Sequence, residues 1–108
     1  MQEKTVITER LTFRAKYGQG DTLVELMKET FKMMPAGDAV SARVYTDRTG
    51  TMFTVAAEID YPDLAAYAKS AMAEGSEYAD PEFQKWFARM VEVTEVGERQ
   101  LLNSEKLL

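Results

Sequence analysis

The chain has 108 residues, of which 45% are hydrophobic and 29% charged, and it contains neither cysteine nor histidine. That composition suits one globular domain over residues 1–108. It excludes disulfides, thiolate metal sites and a cysteine nucleophile, and it removes the residue on which serine triads, most zinc hydrolases and histidine-ligated haem depend. A net charge of −5 argues against a dedicated nucleic-acid binder, which needs a basic stripe to offset phosphate.

The first element is "VITERLTFRAKY" (6–17). Ile7, Leu11, Phe13, Ala15 and Tyr17 alternate with Thr8, Arg10, Thr12, Arg14 and Lys16, the period-two pattern of a strand. "GQGD" (18–21) ends it, with Asp21 as an N-cap for the next segment. In "TLVELMKETFKMM" (22–34), Leu23, Met27, Phe31 and Met34 recur at helical spacing, and Glu25, Lys28, Glu29 and Lys32 fall on a solvated face. Pro35 and Gly37 end that helix.

"VSARVYTDRTGTMFTVAAEID" (40–60) reads as two strands joined by a turn at "DRTG" (47–50), where Gly50 suits a left-handed position. Asp60 and Pro62 open a second helix, with Leu64, Ala68, Ala71 and Met72 facing inward and Gly75 as its cap. A third helix spans 79–93, capped by Asp80, with Pro81 in the first turn and Phe83, Trp86, Phe87, Met90 and Val91 on one stripe. Residues 95–107 fit a last strand, bulged near Gly97. The order β-α-β-β-α-α-β predicts an α+β, ferredoxin-like domain: a four-stranded antiparallel sheet with helices on one face.

One sheet face is plainly the core face: Ile7, Leu11 and Phe13, then Val40, Ala42 and Val44, then Phe53, Val55, Ala57 and Ile59. The other carries Arg10, Thr12, Arg14, Ser41, Arg43, Tyr45, Met52, Thr54, Ala56 and Glu58. That mixture is too polar for a second core and too varied for a routine solvent face. It matches a half-enclosed cavity, which a second copy of the chain closes if two sheets pack face to face into a barrel. Arg43 and Glu58 are expected diagonally across adjacent strands. Arg14, on a first strand taken as parallel to the third, is expected to approach Glu58. Two readings follow for this trio. Either it is an ion-pair network that holds the barrel together, or Arg14 and Arg43 clamp an anion or carbonyl while Glu58 acts as a base. Tyr45 is either a dimer contact or a hydroxyl donor in the cavity, and Trp86 either core packing or a wall for a flat ligand.

The element order, the length and the closing run "DPEFQKWFARMVEVTEVGERQLL" (80–102) resemble the dimeric α/β-barrel superfamily, nearest to NIPSNAP-like and antibiotic-biosynthesis-monooxygenase-like proteins. The resemblance implies a homodimer with a ligand cavity between sheet and helices. It also implies functions that include cofactor-free oxygenation of aromatic polyketides and haem degradation. The missing histidine removes the residue expected for haem. The function expected is therefore binding of a small apolar or aromatic ligand, with Arg14, Arg43, Tyr45, Glu58 and Trp86 as candidate contacts. Cofactor-independent oxygenation of a quinol-like substrate is the alternative, and a dimer whose barrel is filled by side chains is the third reading. No cofactor and no metal are expected. No apolar run approaches the ~18 residues of a membrane span, the N-terminus lacks a signal-peptide layout, and the absent cysteines fit a cytoplasmic protein.

Overall fold

The structure, a computed structural model, describes residues 6–33, 37–74 and 77–108. Its elements are β1 (Val6–Ala15), α1 (Gly20–Met33), β2 (Ser41–Thr46), β3 (Thr54–Tyr61), α2 (Leu64–Glu74), a 3-10 turn (Glu77–Ala79), α3 (Pro81–Val93) and β4 (Thr94–Ser104). The strands form one sheet in the order β2-β3-β1-β4, and every neighbouring pair is antiparallel. This is the ferredoxin-like arrangement.

The antiparallel β1–β3 pairing corrects the expectation of a parallel one. The α1 crossover carries the chain past one strand position, so β2 lies parallel to β1 but not beside it. The hairpin then returns β3 into the gap, opposed to both neighbours. The register sets Arg10 opposite Glu58 and Arg14 opposite Thr54, so Arg14 does not approach Glu58.

The hairpin loop is longer than a 47–50 turn. Gly50 has a φ of 93°, as expected, but Phe53 also enters the left-handed region at 62° and β3 starts only at Thr54. Asp47 closes the loop twice: its backbone N–H donates to the Thr54 carbonyl at 3.1 Å, and its carboxylate accepts from the Thr54 N–H at 3.1 Å. The resulting register sets Arg43 directly opposite Glu58 rather than diagonal to it.

Three helix details also depart from expectation. The first helix begins at Gly20, so Asp21 lies in its first turn, where a carboxylate favours the helix dipole, rather than at the cap. The second is capped by Asp63, whose carboxylate accepts from the Ala66 N–H at 2.8 Å; Asp60 belongs to β3. The inward residues of α2 are then Ala66 and Tyr67, while Leu64, Ala68, Ala71 and Met72 are exposed. Asp80 caps α3 as its sequence implies, accepting from the Glu82 N–H at 2.9 Å. Tyr17 lies beyond β1 and is exposed, touching Phe53 edge to face. The bulge falls where Arg14 and Ala15 skip Glu95, not at Gly97. Met34, Pro35 and Gly75 lie outside the described residues.

The dry core sits at one end of the helix-covered face. Ala15, Val55 and Ala57 of the sheet meet Leu23, Leu26 and Met27 of α1 and Met90 of α3. Leu23 and Leu26 are fully buried, and each such side chain contributes about 1.5–3 kcal/mol by leaving water. The Trp86 indole N–H donates to the Leu26 carbonyl at 2.7 Å, which ties α3 to α1 over this core.

Candidate functional site

Beyond that core the helices and the sheet part. The space between them is a cavity of about 790 Å³. Leu11, Phe13, Ala57, Ile59 and Tyr61 form its sheet wall, Met27 and Phe31 come from α1, and Trp86, Phe87, Met90 and Val91 from α3. Tyr78 and Phe83 extend the aromatic side, with ring centroids 5.0 Å apart for Tyr78–Phe83 and 5.4 Å for Phe83–Trp86. The Phe83–Trp86 contact follows from the α3 stripe, where residues three apart share a face, and Tyr78 reaches Phe83 from the 3-10 turn before the helix. Val40, which precedes β2, also borders the space.

Three carboxylates border this space: Asp38 and Glu95 are exposed and paired with Lys69 and Arg14, and Glu9 is the buried one. Glu9 lies on β1 in the core-facing row, between Ile7 and Leu11, and its side chain is only 6% exposed. Its Oε2 accepts from the Tyr67 hydroxyl at 3.2 Å and lies 3.4 Å from Nε of the largely exposed Arg99. Glu9 escaped sequence reasoning because the strand was read by its apolar positions. The signal was nonetheless present: strict alternation from Ile7 to Ala15 sets residue 9 on the inward face.

The opposite, helix-free face is a closed charge network. Glu58, 8% exposed, takes Arg10 Nε on Oε2 at 2.6 Å and Arg43 Nη2 on Oε1 at 2.8 Å. Asp60, 14% exposed, takes Arg43 Nη1 at 2.8 Å and accepts from the Thr8 and Ser41 hydroxyls at 2.6 and 2.5 Å. Arg43 Nε donates to the Tyr45 hydroxyl at 2.7 Å. The Arg43 hydrogen bonds, aided by the two hydroxyls, outweigh burial and hold the Asp60 carboxyl down at about 2. For Glu58 burial alone works upward and is the largest single influence, but the hydrogen bonds from Arg10 and Arg43 together bring its carboxyl below the usual value. Arg43 is held above the ordinary arginine value, first by its bond to Asp60. The network satisfies its own charges.

The sequence-predicted residues therefore divide. Arg43, Tyr45 and Glu58 come together, but on the helix-free face and away from the cavity. Arg14 pairs instead with Glu95 at 3.3 Å. Trp86 alone of the five lines the cavity. Among the described residues, no three Asp or Glu side chains converge to hold a metal ion.

Solved structures with this architecture are numerous. A NIPSNAP family protein from Agrobacterium tumefaciens superposes with a TM-score of 0.75 at 17% identity, covering 100% of this chain and 93% of its own. The chain carries the NIPSNAP-type fold. An uncharacterised NIPSNAP domain protein from Burkholderia xenovorans gives 0.72 at 21% identity, covering 94% and 97%. SnoaB, a cofactor-independent oxygenase from Streptomyces nogalater, gives 0.64 at 15% identity, covering 96% and 97%. An antibiotic-biosynthesis-monooxygenase-like protein from Chloroflexus aurantiacus has the same fold, with a TM-score of 0.66 at 16% identity, covering 95% of this chain and 96% of its own. No protein-family model matches the sequence, and no curated protein sequence matches it significantly. No helix among the described residues is long and apolar enough to cross a membrane.

Proposed function

We propose that this NIPSNAP-type domain binds a small, flat, apolar or aromatic molecule in the cavity between its sheet and its helices, and that it works as a cytoplasmic homodimer. The observation that carries the reading is the cavity itself. Its volume of about 790 Å³ lies within the ~300–1,000 Å³ of small-molecule sites, and its lining is mostly apolar and aromatic around a few polar groups. Trp86 is the candidate that contacts the guest. Arg43, Tyr45 and Glu58 serve the sheet, and Tyr45 and Met52, both about half exposed, supply contact area for a twin subunit.

Trp86 is the only tryptophan, so its emission reports the cavity without labelling. N-phenyl-1-naphthylamine, which brightens in apolar surroundings and accepts energy from indole, is expected to bind saturably and to quench Trp86. Failure to bind at any soluble concentration would remove the reading.

The likeness to SnoaB favours a second reading, oxygenation of an aromatic substrate without a cofactor. Arg14, Arg43, Tyr45 and Glu58 are poorly situated to serve it, because none of them borders the cavity. Oxygen uptake with an anthrol-type substrate tests it directly.

A further inference from the structure

We infer that Glu9 is the polar anchor of the cavity and that the guest it selects is an aromatic molecule bearing a neutral hydroxyl donor, a phenol or an enol. This rests on the reading that the cavity binds small molecules and adds what that reading leaves open, the chemistry of the guest's polar end.

The argument begins with cost. A carboxylate withdrawn from water is unfavourable by several kcal/mol unless its oxygens are well paired. Glu58 meets that condition: both of its oxygens are held by arginine, at 2.6 and 2.8 Å. Glu9 is equally buried but differently served. Both of its contacts, from Tyr67 and from Arg99, fall on Oε2. Arg99 is itself 62% exposed and sits at 3.4 Å, so water screens much of its attraction. Among the described residues no contact falls on Oε1, and the space that Glu9 borders is the cavity.

A purely structural side chain at position 9 would continue the row of Ile7, Leu11 and Phe13. A carboxylate there is explained by a guest that donates to it. Two cations, Arg99 and Lys69, already border the cavity, so a further cation on the guest is not required. A neutral donor on a flat ring satisfies both Glu9 and the walls built by Phe13 and Trp86. A charge-assisted hydrogen bond of this kind contributes about 1.5–3 kcal/mol, which is at least about tenfold in affinity.

Competition against bound N-phenyl-1-naphthylamine separates the possibilities. 2-Naphthol is expected to displace the probe at a concentration at least about tenfold lower than 2-methoxynaphthalene, which keeps the rings and loses the donor. Glu9→Gln, nearly isosteric, should shrink that ratio to about threefold or less, while Tyr67→Phe, which spares the carboxylate, should preserve it. Equal displacement by the two compounds, or a ratio that survives Glu9→Gln, overturns the anchor and leaves cavity binding intact. No binding of the probe or of either competitor overturns both readings together.

Discussion

At the scale of single residues, the carboxylates on the two faces of the sheet have opposite circumstances: Glu9 borders the cavity, and Glu58 and Asp60 sit in the helix-free network. Asp60 and Glu58 are locked into arginines, and that pairing has a pH signature. The Asp60 carboxyl falls from 3.8 in the unfolded chain to about 2 when folded, so the folded state holds its protons less tightly. Its contribution is therefore fully present above pH 3.8 and is lost as pH falls toward 2, about 2 kcal/mol in all. Urea unfolding at pH 7 and pH 3 should show about half of that loss, and Asp60→Asn should flatten the pH dependence over this window. Arg43→Met should destabilise by about 1–3 kcal/mol at pH 7, because it strips Glu58 and Asp60 of their shared cation. A fully buried pair would cost more; the Arg43 side chain is 39% exposed, and solvent takes up part of the loss. Sequence alternation brought Arg43 and Glu58 to one face correctly. It did not reveal that their charges are mutually consumed, because that depends on Asp60, which reads in sequence as a helix cap.

At the scale of elements, the pairing of β1 with β4 shapes the cavity wall. Gly97 lies opposite Phe13, and a Cβ at Gly97 would come within 2.8–2.9 Å of the Phe13 ring. Gly97→Ala should thus displace the ring toward the cavity, costing about 1–3 kcal/mol in urea unfolding and weakening binding of the naphthylamine probe. An unchanged affinity would mean that Phe13 does not shape the bound state. Element order, the capping of α3 and the apolar stripe over Phe83, Trp86 and Met90 were legible, since each depends on local spacing. The inward face of α2 was not. Its alanines carry almost no directional signal, and its rotation shows in the Asp63 cap and in the contacts of Tyr67 with Glu9 and Tyr61. The hairpin register was equally hidden, because it turns on Phe53 adopting a left-handed backbone that a phenylalanine rarely takes.

At the scale of the whole molecule, the question is which face of the sheet carries function. Residue chemistry alone favoured the helix-free face, where charges stand out against small neighbours. The fold reverses that preference: the charges there pair among themselves, and the space lies under the helices, as the resemblance to dimeric α/β-barrel proteins implied. A cavity is a place where packing stops, and no periodicity records where helices fail to meet a sheet. The helix-free face retains a role if two copies meet across it. Light scattering should then give twice the 12.2 kDa chain mass, and a Tyr45→Lys, Met52→Lys double variant should move the protein toward the single-chain mass.

The most direct measurement follows the methionine methyl groups by carbon-13 NMR while 2-naphthol is added. Met27 and Met90 line the cavity, whereas Met52 and Met72 stand exposed outside it. The account predicts saturable shifts at Met27 and Met90 with Met52 and Met72 unmoved. Shifts at Met52, with Met27 and Met90 still, would contradict it and return the site to the helix-free face.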